Sequence, residues 1–238
     1  MFGEFMGTMV MILLGDGVVA SVLLKRTKAE NAGWIVVTTG WAFAVLAGIF
    51  TATACGSPDA HLNPAITLAF ALKNHQFNLL LPYAVAQIAG AFVGACLVWI
   101  HFYPHWRETP DAAAKLGVFC TSPAIRNPPA NVVSEIIATA ILVVVVGAMS
   151  SKLVLSTGAA AGLSPYLVSC VVWSIGLSLG ATTGYAINPA RDLGPRLAHA
   201  VLPIPGKGFS DWGYALVPII GPLIGASLAG MFLRILGA

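Results

Sequence analysis

The chain has 238 residues, of which 58% are hydrophobic and only 9% charged, against about 25% charged in an ordinary soluble domain; this excludes a soluble globular class and points to an integral membrane chain. Its formal charge of +3 arises from few charges in total, with no basic stripe to suit a nucleic acid. The four cysteines, Cys55, Cys96, Cys120 and Cys170, lie far apart without a CxxC pair, which argues against a disulfide framework or a metal site.

Six stretches are long enough to cross a bilayer as helices, at 2–24, 33–54, 78–102, 131–150, 164–183 and 213–236, each near the roughly 20 residues a span needs. The first lacks a basic leading region and carries Glu4, so it reads as a membrane helix and not as a signal peptide. The apolar runs are continuous, which excludes the alternating strands of a membrane barrel. Lys25-Arg26-Thr27-Lys28 follows the first span, and the Pro-rich stretch 103–129 after the third is the one long loop. Two further signals fall between spans: Asn63-Pro64-Ala65 and Asn188-Pro189-Ala190. Asn is a strong helix N-cap, and Pro at the next position is preorganised for the first turn. The apolar run after Pro64 stops at Lys73-Asn74-His75, so that helix is about ten residues or ~15 Å, half of a ~30 Å hydrocarbon core. Two such half-helices meeting at their N-termini would make one full span.

The halves resemble each other. Glu4 and Thr8 match Glu135 and Thr139, Asn63 matches Asn188, and Gly94-Ala95 matches Gly225-Ala226. A unit of three spans plus a half-helix has an odd number of crossings, so its second copy is inverted and the half-helices enter from opposite faces. The expectation is one channel domain, 1–238, with inverted repeats at about 1–102 and 131–238 joined by 103–130. Small residues at Gly90, Ala91, Gly94, Gly221, Gly225 and Gly230 suit close helix packing.

The paired Asn-Pro-Ala motifs, the opening Gly3-Glu4-Phe5 with Gly7-Thr8, Gln87-Ile88-Ala89-Gly90-Ala91, and Gly184-Tyr185-Ala186-Ile187-Asn188-Pro189-Ala190-Arg191-Asp192 resemble the aquaporin superfamily in its glycerol-facilitator branch, over essentially the whole chain. The resemblance implies an all-α membrane fold of six transmembrane helices plus two half-helices, and a passive channel for glycerol, water and similar small neutral solutes. It also implies a homotetramer with one pore per subunit, cytoplasmic termini in a cell membrane, and no cofactor, metal or enzymatic activity. The positive-inside rule alone would reverse that orientation, since Lys25, Arg26, Lys28, Arg107, Lys115, Arg126, Arg196 and Lys207 lie opposite the N-terminus.

The same resemblance assigns the selectivity filter to Trp41, Gly176, Tyr185 and Arg191. Counting back from Asn63 through a lengthened 53–60 loop points instead to Phe43; the run Gly40-Trp41-Ala42-Phe43 favours Trp41. Trp41 and Tyr185 offer an apolar wedge for a carbon backbone, Gly176 supplies width, and Arg191 is a permanent cation and hydroxyl donor. A cation at a helix N-terminus is misplaced, so Arg191 needs a compensating partner. Glu4 and Glu135 are intramembrane carboxylates expected to hold the irregular backbone ahead of each half-helix, His61 to line the path, and His75, His101, His105 and His199 to sit at the interface. Asp16, between Gly15 and Gly17, faces either a polar crevice or another subunit, and the sequence leaves both open. Other neutral cargoes (water alone, a protonated organic acid, urea or hydrogen peroxide) stay open, as does a secondary transporter, which inverted repeats with broken helices also build.

Overall fold

The computed structural model describes residues 1–149, 151, 154, 160 and 162–237, which form ten helices and no strand. Five are long and apolar enough to cross a membrane: α1 (Phe2–Leu23), α2 (Trp34–Ala54), α4 (Leu80–His101), α7 (Pro128–Met149) and α10 (Val217–Leu236). Between α2 and α4 lies the short α3 (Pro64–Asn74), and between α8 (Leu163–Ser178) and α10 lies α9 (Pro189–Val201). The loop 103–127 is not structureless: it holds α5 (His105–Glu108) and α6 (Ala112–Phe119). Asp111 caps α6 through the Ala113 N–H at 2.8 Å, and Trp106 and Phe119 are buried and stacked on each other.

The expected fifth span, 164–183, is shorter than the sequence reading had it. Helix α8 ends at Ser178, and the chain turns through Gly180 to Gly184, with the Gly184 N–H donating to the Gly180 carbonyl. Most of the connection between the fourth and fifth expected spans, Lys152 included, lies outside the described residues.

The packing is cross-paired. Helix α1 lies against α2 and α4, and α7 against α8 and α10, yet the short α3 beds on α10 while α9 beds on α4. Each short helix therefore rests on a long helix from the other half of the chain. Gly230 makes one such seat: a Cβ there would stand 2.6 Å from the Ala69 carbonyl oxygen of α3. Small residues thus set the helix spacing where no hydrophobic drive exists between apolar surfaces in lipid.

Candidate functional site

The two short helices begin in the same way. Asn63 and Asn188 are in extended backbone, with φ of −157° and −155°, and each side-chain oxygen accepts from the backbone N–H two residues on, Ala65 at 2.8 Å and Ala190 at 3.0 Å. Both therefore act as N-caps followed by Pro at N1. Their amide nitrogens cross over: Asn63 Nδ2 donates to the Ile187 carbonyl and Asn188 Nδ2 to the Leu62 carbonyl, each at 2.8 Å. Since a carboxamide nitrogen carries two hydrogens, one from each Asn locks the junction and one remains.

The backbone leading into each cap is strained in matching places. Ala60 and Leu62 have φ of 42° and 53°, and Tyr185 and Ile187 have 37° and 43°. Non-glycine residues rarely adopt this region, and such strain persists only where the surroundings over-determine it. Here the restraints are the two buried glutamates. Glu4 accepts from the N–H groups of His61 and Leu62 at 2.9 and 2.7 Å, from Ser57 Oγ at 2.7 Å and from Gln87 Nε2 at 2.7 Å. Glu135 accepts from the N–H groups of Ala186 and Ile187 at 3.0 and 2.8 Å and from Thr183 Oγ1 at 2.6 Å. These carboxylate acceptors satisfy backbone N–H groups that no helix or sheet serves, which membrane depth requires.

A cavity of about 690 Å³ runs from the C-terminal end of α3, past His61 and both Asn side chains, to Trp41, Tyr185 and Arg191. His61 stacks on Phe70 and its Nδ1 lies 3.2 Å from Thr67 Oγ1. At the far end the Arg191 guanidinium carbon sits 4.0 Å from the centre of the Trp41 ring, a cation–π contact. Trp41 is 5% exposed, whereas Phe43 is 54% exposed on the outer face of α2, so the one aromatic meets Arg191 and the other does not.

Gly176 lies against the ring of Tyr185. It is not a wall of the cavity; a Cβ on it would stand 2.9 Å from Tyr185 Cζ. The Tyr185 ring beside it also meets Trp34 edge-on at 5.9 Å. Gly176 thus bears on the constriction through Tyr185.

The compensating partner that Arg191 needs is Asp16, with Asp16 Oδ1 3.1 Å from Arg191 Nη1; the Phe119 carbonyl takes a second bond from Nη1 at 3.2 Å. Sequence reasoning had no part for Asp16. The signal was an acidic residue in an apolar run, but its partner lies 175 residues away. A second buried pair stands behind: Arg196 Nε and Nη2 bond Asp192 at 2.7 and 2.9 Å, and Asp192 also accepts from the Thr121 N–H and hydroxyl. His199, expected at the interface, is fully buried, with Nδ1 2.9 Å from Ser210 Oγ. The loop after α9 folds back over it, and Lys207 Nζ donates to the carbonyls of His199, Ala200 and Leu202 at 2.6 to 2.7 Å. Burial there pulls the Lys207 ammonium below the usual lysine pKa. His75 and His101 are exposed and His105 is half-buried.

The sequence and fold have known counterparts. Residues 1–233 match the family model described as "Major intrinsic protein". The chain is 52% identical over 238 residues to "Glycerol uptake facilitator protein 3" of Lactiplantibacillus plantarum, covering 99% of this chain and 96% of the relative. It is 55% identical over 227 residues to a "Probable glycerol uptake facilitator protein" of Thermotoga maritima, covering 94% of each. Its fold superposes on the X-ray structure of the aquaglyceroporin from Plasmodium falciparum with a TM-score of 0.83 at 26% identity, over 98% of this chain and 93% of that one. The matched helices, the doubled Asn caps and the extent of these similarities together make the chain a member of the major intrinsic protein family.

Proposed function

We propose that the chain is a passive transmembrane channel for glycerol and similar small neutral solutes, with some water, that excludes protons and ions. The observation that carries this reading is the constriction. Trp41 and Tyr185 line it with apolar rings, and Arg191, stacked on the Trp41 ring, adds donors beside them, which gives a linear polyol both partners it needs: carbons against carbon, hydroxyls against nitrogen. The glycerol-facilitator names of relatives near 50% identity support the same substrate.

Charge exclusion follows from the junction. Each short helix contributes about half a positive charge at its N-terminus, and the second amide hydrogen of Asn63 and of Asn188 is left to donate to a passing oxygen. A water accepting from both sides is not oriented to hand a proton onward, and cations are repelled by the helix ends and Arg191. The walls at this level are Asn63, Asn188, Leu62 and Ile187, and none is a titratable group of the kind that coupled transport uses, so a channel is favoured over a secondary transporter. The matching Glu4 and Glu135 restraints support inverted repeats at about 1–102 and 131–238 in one domain. Family membership supports a homotetramer in the cell membrane with cytoplasmic termini.

The test is a shrink–swell measurement on vesicles holding the purified protein. Glycerol flux is expected to run down its gradient in either direction, to stay linear to high concentration and to ignore a protonophore. Accumulation of glycerol against its gradient overturns the reading.

A further inference from the structure

We propose that Asp16 is the positioning residue of the constriction, holding the Arg191 guanidinium against Trp41 so that its remaining donors face the solute. The proposal rests on the glycerol-channel reading, because its effect is read as a change in solute preference. Asp16 is completely buried in a membrane-spanning helix and is not a wall of the cavity. A carboxylate at that depth is costly and calls for a partner.

Its surroundings separate it from the other two buried carboxylates of the spans. Glu4 and Glu135 are surrounded by loop donors and serve the backbone. Asp16 meets one donor, Arg191 Nη1, and among the described residues its Oδ2 has no hydrogen-bond partner. Asp192, the acidic residue beside Arg191, is occupied by Arg196 and Thr121. Asp16 is therefore the countercharge of Arg191.

Geometry then fixes what the pair does. Both hydrogens of Nη1 are taken, one by Asp16 and one by the Phe119 carbonyl. Of the five guanidinium N–H groups, three remain, on Nε and Nη2. The residue before Asp16 seats the indole on which the guanidinium stacks: a Cβ on Gly15 would stand 2.4 Å from Trp41 Cη2. One turn of α1 thus admits the indole and anchors the cation stacked on it. The carboxylate also offsets the charge of Arg191, so the two helix N-termini carry a larger share of cation exclusion than the arginine alone implies.

The experiment compares glycerol-to-water permeability ratios in vesicles for wild type, Asp16→Ala, Asp16→Asn, Arg191→Val, and Asp16→Ala with Arg191→Val. Asp16→Ala is expected to lower the ratio about fivefold or more, because an untethered guanidinium swings into the passage. Asp16→Asn is expected to recover most of the ratio, since its side-chain oxygen accepts the same Nη1 bond. In the Arg191→Val background, Asp16→Ala should add less than about a twofold change, the non-additivity expected of residues acting through each other. An unchanged ratio for Asp16→Ala, an Asn variant as impaired as Ala, or an equal effect with and without Arg191 overturns the proposal. Should Asp16→Ala alone give no water-conducting protein, the double variant decides. It is expected to conduct water, having no charge buried alone, and a double variant as defective as the single one overturns the idea. Wild-type protein that passes no glycerol overturns the functional reading instead.

Discussion

The two Asn-Pro-Ala segments share a scaffold and differ in what it carries. Counting from each Asn, the left-handed residues fall three and one positions before it in both copies, and the glutamate bonds fall two and one before it in both. The substituents differ at those same places. Three before, the first copy has Ala60 and the second Tyr185; three after, the first has Ile66 and the second Arg191; four after, the first has Thr67 and the second Asp192. The common part makes the junction between the two short helices. The second copy adds an aromatic wall and a cation six residues apart on the same frame, and on the proposed reading these place discrimination at one end of the cavity.

The largest expected effect tests the shared part. Glu4→Gln and Glu135→Gln keep the side-chain shape, but in each an NH2 must face a backbone N–H that the carboxylate now serves. Losing a buried charged acceptor in this way costs roughly 3 kcal/mol or more. Both variants should lose glycerol and water flux together, with a lowered Tm in detergent. The two losses should agree within about 1 kcal/mol, because the backbone donors are the same in number and kind. One variant that is silent while the other unfolds breaks the equivalence of the two segments.

The shared part was also the part legible in sequence. An Asn-Pro cap is a local signal, and a glutamate repeated at the same offset announces its role by repetition. Asp16 has no such echo: the residue at the Glu4-to-Glu135 offset from it is Gly147. Its partner was therefore hidden in tertiary contact, although the demand for a compensating group at Arg191 was readable. Gly176 was legible as a residue that matters, but not as a seat for Tyr185, because a missing side chain does not say which neighbour fills its place. His199 misled because a polar residue near a helix end usually meets water; here the 202–211 loop covers it. Helix α6 had a readable start in Asp111 followed by three alanines, masked by the prolines on either side.

A middle-sized effect sharpens the difference between the segments. Gly176→Ala sets a methyl 2.9 Å from Tyr185 Cζ and 3.0 Å from its hydroxyl, closer than carbon atoms approach without one moving. The ring lines the cavity and must yield toward it. Glycerol permeability should fall about fivefold, roughly 1 kcal/mol of barrier, with a smaller loss for water. Gly176→His should act in the same direction and more strongly, by displacing Tyr185 and not by standing beside it. In a Tyr185→Ala background, Gly176→Ala should leave the glycerol-to-water ratio within about twofold of its parent. A full fivefold loss there places the effect elsewhere on α8.

The smallest expected difference is between the hydroxyls that complete each glutamate's shell. Ser57 Oγ donates to Glu4 Oε1 at 2.7 Å, and Thr183 Oγ1 to Glu135 Oε1 at 2.6 Å. A hydrogen bond to a charged group contributes about 1.5–3 kcal/mol, but the two sites differ in what remains. Without Ser57, Glu4 still has two backbone N–H groups and Gln87 Nε2; without Thr183, Glu135 has two backbone N–H groups alone. Thr183→Val should therefore lower the Tm more than Ser57→Ala, by a margin corresponding to about 1 kcal/mol. Adding Gln87→Leu to Ser57→Ala should erase that margin, since it brings Glu4 down to the same two backbone donors. If Ser57→Ala is the more damaging variant while Gln87 is intact, the glutamine is not supporting Glu4, and the first segment depends on its hydroxyl more than the second does.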